Sequence, residues 1–385
     1  MAQRSVPETA YRVFSARVHD RVATRCLPVA GDIELTQRCN LRCGHCYGAP
    51  GGKGREMTLA EICRIFDEIA EAGCLWLLLT GGEALLREDF ADIYLYAKEK
   101  GFIVTLFTNA TLVTPRIADL LKERPPFRVE VSLYGASREV YEKVTGAPGS
   151  HKKCLEGIEM LRERGVSMEL KTLVTNDNKA EIAAIQRFAK QRGLFYRFDA
   201  YINPRLDGSQ DPCRLRLTPE EVVALDLSSP ARCDTWRQMY KDVWGAEKDL
   251  DHLYACTLNQ WSFFISAAGR LQSCLMLPQP SYDVLHRPFL ESWQELVPAV
   301  QGLKSVNRGH KCYHCEMSAL CCHCPAWAEL ENGDPESAVD FVCRTAQLRH
   351  RVFQERGIIG KNNFQCQISN DQWGLLKEGT IDNRL

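Results

Sequence analysis

The sequence has no long apolar run: its longest strongly hydrophobic stretch, Leu75 to Leu79, falls far short of a membrane-spanning helix. A secretory signal is missing too, because Arg4, Arg12, Arg17, Asp20 and Arg21 break any apolar segment in the first thirty residues. Charge of one sign is also lacking. With 48 Lys and Arg against 49 Asp and Glu the formal net charge is −1, and no long single-sign block demands a nucleic-acid partner. There is no internal repeat and no low-complexity stretch. These absences lead us to expect a soluble, cytoplasmic protein with neither a membrane nor a nucleic-acid partner. The length of 385 residues, 45% hydrophobic and 25% charged, suits two globular domains, one of them barrel-sized.

Cysteine is what the chain has in excess. Eighteen cysteines in a chain of this kind argue for metal rather than disulfides. Their spacing is clustered, with three inside Cys39–Cys46 and five inside Cys312–Cys324.

From about residue 30, strand-like and helix-like segments alternate. Strands are expected at Asp32–Thr36, Leu75–Thr80, Ile103–Thr108, Arg128–Ser132, Ser167–Val174 and Phe195–Tyr201. Helices are expected at Thr58–Ala72, where Thr58 and Glu61 form a capping box, and at Asp89–Lys100, Pro115–Lys122, Lys152–Arg164 and Ala180–Arg192. Six sequential βα units predict an α/β fold with a parallel sheet, an open (β/α)6 partial barrel. Such barrels place their chemistry at the carboxyl ends of the strands. The Cys39–Cys46 loop, Thr80–Glu83, Asn109 and Ser132 all fall there. We divide the chain into an N-terminal extension (1–30), the barrel (31–202), a linker with some helix (203–250), a small Cys-rich domain (251–345), and a C-terminal helix and tail (346–385).

Cys39, Cys43 and Cys46 follow the spacing C-x3-C-x2-C. Three soft thiolates on one short loop can hold three irons of a cubane and leave the fourth open to a small molecule. A structural zinc site is the alternative, but it wants four closed ligands, and Cys63 and Cys74 do not make a second knuckle. This loop resembles the signature of the radical S-adenosylmethionine (SAM) superfamily. Thr80-Gly81-Gly82-Glu83, about 40 residues on and after a strand, resembles that family's glycine-rich motif. The resemblance implies that Gly81, Gly82 and Glu83 approach the methionine amino group of SAM and that Tyr47 lies beside the adenine. It also implies that Asn109 and Ser132 contact the methionine part or the ribose. It further implies a [4Fe–4S] cluster that chelates SAM at its open iron, cleaves it reductively, and yields a 5′-deoxyadenosyl radical that takes a hydrogen atom from substrate.

The second group reads Cys256, Gly269-x4-Cys274, Cys312-x2-Cys315-x5-Cys321-x2-Cys324 and Cys343. It resembles the SPASM extension of many radical SAM enzymes, which carries two auxiliary [4Fe–4S] clusters. By that resemblance Cys256, Cys274 and Cys324 hold the inner cluster, while Cys312, Cys315, Cys321 and Cys343 hold the outer one. The C-x2-C spacing departs from the usual C-x3-C, so Cys322 offers another register. The inner set is one thiolate short, and Asp249, Leu250, Asp251 and His252 stand where some relatives have a further cysteine. Cys213, Cys233, Cys322, Asp251 or His252 would be needed to close that set; otherwise it keeps an open iron for a substrate thiolate. A four-cysteine zinc ribbon and a one-cluster version of the extension are the alternatives. Cys26, Cys63, Cys74, Cys154, Cys213, Cys233 and Cys366 remain, mostly as core or surface residues.

Enzymes with this extension resemble maturases of peptides and proteins. Our first expectation is therefore a peptide or protein substrate undergoing thioether or C–C crosslinking, epimerisation or oxidation, as in the biosynthesis of ribosomally made peptides. An electron donor such as flavodoxin or ferredoxin is implied, and leader-peptide recognition would fall to a separate protein. The runner-up is a small-molecule radical SAM enzyme of cofactor or tetrapyrrole biosynthesis. A non-catalytic iron–sulfur redox or sensor protein is the third reading. Asp199, Tyr201 and Asp251 lie near the expected cavity, but no catalytic acid or base is assigned.

Overall fold

The computed structural model describes residues 11–23, 25–48, 54–243, 251–254, 256, 260–307, 310–312 and 315–360. Cys366, Asp249 and Leu250 lie outside the described residues. Helix α1 (Tyr11–Ala23) precedes β1 (Ala30–Glu34). Then follow α2 (Leu59–Glu71), β2 (Trp76–Thr80), α3 (Phe90–Glu99), β3 (Ile103–Thr108), α4 (Pro115–Glu123) and β4 (Arg128–Ser132). Two helices, α5 (Arg138–Thr145) and α6 (Ser150–Glu163), lead to β5 (Met168–Leu173), α7 (Ile182–Gln191) and β6 (Phe195–Asp199).

Local chemistry accounts for these elements. The Thr58–Glu61 capping box opens α2, whose Ile62, Ile65, Phe66 and Ile69 face the core. Thr114 caps α4, with Pro115 in its first turn. The sequence pattern did not show α5. Ser137 caps it and Gly146, at φ +60°, ends it.

Strands β1 to β6 pair in parallel, side by side in chain order. This is the expected partial barrel. Ile33, Leu79, Leu106, Val131 and Leu170 belong to the buried core shared with Ile62, Phe66, Ile93, Leu121, Ile158 and Ile185 of the helices. The alternate strand residues therefore share the opposite face, which is the barrel interior.

The sheet also extends past β1, which the sequence reading had not shown. After α8 (Pro219–Asp226) and α9 (Pro230–Val243), β7 (Ser262–Ile265) pairs with β1 in parallel, and β8 (Arg270–Gln272) and β9 (Tyr282–Asp283) add antiparallel strands. Helix α10 (Phe289–Gln301) packs behind them, with Phe289 4.8 Å from Phe263, ring to ring. Arg64 of α2 donates to Val284 O at 2.7 Å, and Glu68 accepts from Phe289 N at 2.6 Å, bolting this extension to the barrel. Helices α11 (Pro325–Asn332) and α12 (Asp340–Glu355) complete the described chain, and no described helix is long and apolar enough to cross a membrane.

Candidate functional site

Cys39, Cys43 and Cys46 lie on the loop that leaves the carboxyl end of β1, and the neighbouring strand ends hold that loop. Leu35 N donates to Thr80 O at 2.9 Å, Gly82 N to Thr36 O at 2.7 Å and Glu83 N to Arg38 O at 2.9 Å. Added Cβ atoms would stand 2.6 Å from Thr36 O at Gly81 and 2.4 Å from Arg38 O at Gly82. The glycines thus admit the backbone of the Cys loop itself. Arg87, buried, donates to Leu35 O at 3.0 Å and Met57 O at 2.9 Å and pairs with Asp89. The unforeseen α5 contributes as well, since Arg42 N donates to Thr145 O at 2.8 Å.

Glu83 is placed differently from the expected partner of an ammonium. It is 1% exposed, and its carboxylate accepts from Leu85 N at 3.1 Å, Thr108 Oγ1 at 2.8 Å and Asn109 N at 2.7 Å. It ties the end of β2 to the end of β3. Asn109 Nδ2 lies 3.0 Å from Asn40 Oδ1 and 3.9 Å from Cys39 Sγ, while its Oδ1 accepts from Thr111. One polar network therefore runs from Glu83 to a cysteine of the loop. Ser132, at the end of β4, hydrogen-bonds with Tyr134, against whose ring His45 packs at 4.6 Å. Burial pushes the His45 imidazole down to about 4, so the ring is neutral at physiological pH. Tyr47 is half-exposed, and its carbonyl accepts from Leu206 N at 2.9 Å.

Burial raises the Cys39 and Cys43 thiols, and negative charge on the neighbouring cysteines raises them further. Three thiols on one loop, with Cys46 the third, are a donor set suited to a cation. Among the described residues, no three His, Cys, Asp or Glu converge on one metal ion. A cubane spreads its thiolates over separate irons, so the arrangement fits a cluster better than a single zinc ion.

The later cysteines form two further groups. Burial raises the Cys274 and Cys324 thiols; Cys324 and Cys256 raise Cys274 further, and Cys256 raises Cys324. The Ala326 and Trp327 amides at the start of α11 favour the Cys324 thiolate, and Asp32 of β1 acts on Cys274. This group therefore borders the barrel interior. Cys312, Cys315, Cys321 and Cys343 line one cavity of about 190 Å³, walled also by Met317 and Val342. Cys322 is not part of that lining and hydrogen-bonds instead with Tyr201. Cys233 is fully buried, with Sγ 4.0 Å from Asp226 O, and His252 Nε2 lies 2.7 Å from Lys304 Nζ. Cys213 feels Arg216 and Glu331. Asp199 caps its own turn through Ala200 N and Tyr201 N, at 2.6 and 3.0 Å.

Sequence reasoning missed a charged cluster on the interior face of β4, β5 and β6. Arg128 pairs with Glu169, and Arg197 reaches Glu169 at 2.8 Å and Glu130 at 2.5 Å. Lys171 lies 3.4 Å from Glu130 and 2.8 Å from the Phe107 ring centre. In register, Lys171 stands opposite Ser132. Three cations surround two carboxylates, a positive excess. The signal was present as alternating charges in strands that would read as continuous apolar runs if both faces were covered.

A sequence model of the radical SAM superfamily matches residues 33–189. The AdoMet-dependent heme synthase of Methanosarcina barkeri is 30% identical over 325 residues, covering 78% of this chain and 92% of the relative. The enzyme of the same name from Nitratidesulfovibrio vulgaris is 27% identical over 327 residues, covering 78% and 88%. Among solved structures, Streptococcus suis SuiB bound to precursor peptide SuiA shares the fold, with a TM-score of 0.64 at 17% identity over 89% of this chain and 84% of that one.

Proposed function

Since this chain belongs to the radical SAM superfamily and has the fold of its SPASM-type members, we propose that its substrate is a tetrapyrrole on the way to haem, and that Cys39, Cys43 and Cys46 hold the SAM-binding [4Fe–4S] cluster. When bound, that cluster supplies the electron that cleaves SAM and so generates the 5′-deoxyadenosyl radical that takes a hydrogen atom from substrate. The chain's own residues position and shield this chemistry. Gly81 and Gly82 seat the Cys loop on β2. Glu83 fixes Asn109, whose amide points at Cys39. Tyr47, Thr80 and Ser132 ring the mouth of the barrel, where the adenine and ribose would lie.

The observation that carries the substrate reading is the 30% identity to a heme synthase along 92% of that relative's length. The interior charge supports it. Tetrapyrroles carry carboxylate side chains, and Lys171, Arg128 and Arg197 on the interior face of β4 to β6 are cations that could meet them, beside Glu130 and Glu169. We further propose that Cys256, Cys274 and Cys324, and Cys312, Cys315, Cys321 and Cys343, hold two auxiliary [4Fe–4S] clusters. The common cavity of the second set supports this. A flavodoxin or ferredoxin is the fitting electron donor.

Peptide modification is the second reading. One observation favours it: Cys233, His252 and Cys322 each have partners away from the inner group. A three-thiolate cluster there would leave an iron for a substrate cysteine, whose thiol pKa would fall on binding.

Anaerobically reconstituted protein with SAM, reductant and an iron coproporphyrin is expected to release 5′-deoxyadenosine and form a haem-type product, read by absorbance and mass spectrometry. Cysteine-containing peptides in a parallel reaction are expected to remain unmodified. Peptide modification with no porphyrin turnover would sink the tetrapyrrole reading. Cys43→Ala should abolish SAM cleavage, and unchanged cleavage would refute the first cluster's assignment.

A further inference from the structure

Between the two auxiliary groups runs the short bridge Cys321-Cys322-His323-Cys324. Cys321 lines the outer cavity, and Cys324 belongs to the inner set. Two cluster sites on one four-residue stretch share a single backbone path, so whatever fixes the path fixes their separation.

Arg349 of α12 meets the start of that path. It is fully buried, and its partner Asp226 of α8 is 2% exposed. Arg349 Nε and Nη2 donate to Asp226 Oδ2 at 2.9 and 2.7 Å. Nη1 donates to Leu320 O at 2.7 Å, one residue before the bridge, and Nη2 also donates to Tyr201 Oη at 2.6 Å. The guanidinium lies 3.9 Å from the Trp236 ring centre.

Tyr201, just beyond β6, completes the clamp. Its hydroxyl hydrogen-bonds with the Cys322 thiol. Its ring meets Trp327 edge-on at 6.1 Å and Phe341 at 5.9 Å. Trp327 sits on α11, which begins directly after Cys324, and Phe341 sits on α12 two residues before Cys343. One side chain at the end of the barrel therefore touches the helices that carry ligands of both sites.

A buried ion pair is weak evidence of stabilisation, since a well-packed apolar pair of similar volume is often as good. What a guanidinium adds is direction, because its planar fork holds several acceptors at set angles. Here the acceptors are a carboxylate, a phenol and the carbonyl that leads into the bridge. Building on the two-auxiliary-cluster reading, we infer that Arg349 and Tyr201 are positioning residues that hold the two auxiliary clusters at a fixed separation, with Cys322 as the anchor of the bridge and not a ligand.

The test uses full-length protein, reconstituted anaerobically, with iron analysis and electron paramagnetic resonance of the reduced clusters. Wild type is expected to hold about twelve irons, three cubanes' worth, and to show magnetic interaction between its auxiliary clusters. Cys322→Ala is expected to keep the full iron content. Tyr201→Phe keeps the ring but loses the hydroxyl contacts to Arg349 and Cys322. It is expected to retain iron while the inter-cluster interaction shifts or broadens. The double variant Asp226→Leu/Arg349→Met removes both buried charges of the pair; Arg232, 3.1 Å from Asp226, loses that partner but is partly open to solvent. This variant is expected to keep the fold, by circular dichroism, and lose the defined interaction; if it does not fold, Tyr201→Phe decides. Full iron with an unchanged inter-cluster signal in Tyr201→Phe, and in the double variant where it folds, overturns the inference and leaves both clusters standing. Loss of about four irons, one cubane, in Cys322→Ala overturns the anchor role. Wild type with about eight irons or fewer, two cubanes' worth at most, overturns the two-auxiliary-cluster reading and the inference with it.

Discussion

A methyl group at Gly82 would stand 2.4 Å from the carbonyl oxygen of Arg38, and the atom in its way is backbone, which cannot rotate aside. Gly82→Ala must therefore push the Cys loop off the end of β2. Overpacking of this kind costs about 1–3 kcal/mol. The variant is expected to unfold at a lower temperature and to lose much of the iron of one cubane, by thermal melting and iron analysis. Normal iron content and melting would contradict the close approach. Gly81, at φ +158° with Thr36 O 2.6 Å from its Cβ position, is subject to the same restriction. The Gly-Gly-Glu motif was legible in the sequence, but the reason for it was not. The glycines admit the chain itself, and the glutamate, expected to face an ammonium, accepts three hydrogen bonds from its own neighbours. Contacts between residues more than twenty positions apart leave no mark on local sequence pattern.

At the scale of elements, β4 to β6 show how a strand can be read correctly while its function is overlooked. Their boundaries follow from alternation, and Val129, Val131 and Leu170 face the helices as alternation requires. The other face carries Arg128, Glu130, Glu169, Lys171 and Arg197, and only the register of three strands shows that these side chains meet. Burial lowers the Lys171 ammonium from its ordinary 10.5 to about 8. Between those values the unfolded chain binds a proton that the folded chain lacks, so this group makes stability rise with pH from about 8 to 10.5 and contributes no such gain below 8. In Lys171→Met that rise should vanish, so the wild-type-minus-variant difference in unfolding free energy should itself rise with pH across the window. A charge-assisted contact to a substrate carboxylate is worth about 1.5–3 kcal/mol, so KM for an iron porphyrin should rise about tenfold or more. A pH-independent stability difference, or an unchanged KM, would remove Lys171 from the substrate-facing set. The same logic explains the two elements that local pattern did not reveal. Helix α5 is eight residues long, too short to announce itself by periodicity, and β7 is four residues that gain their meaning from Ala30 to Ile33 alongside.

On the scale of the whole molecule, the question is how many metal centres the cysteines make. Spacing alone left Cys321 and Cys322 as alternatives and left a zinc ribbon open for Cys312, Cys315, Cys321 and Cys324. The geometry favours the two-cluster proposal. Cys321 shares a cavity with Cys312, Cys315 and Cys343, whereas Cys324 is outside that lining and interacts electrostatically with Cys256 and Cys274. A ribbon needs Cys324 beside Cys321, and a one-cluster extension leaves one of the two cysteine groups without a role. If all three groups are loaded, the protein should hold about twelve irons and negligible zinc, from three Cys-ligated cubanes. Replacing Cys39, Cys43 and Cys46 together by Ala should leave about eight, and replacing Cys312 and Cys315 should also leave about eight, from the two cubanes that remain. The two variants should differ in one respect: only the first loses SAM cleavage, because only its cluster binds SAM. Stoichiometric zinc beside a single cubane's iron would return the second cysteine group to the ribbon, and equal loss of SAM cleavage in both variants would show that the three sites do not divide the work in this way.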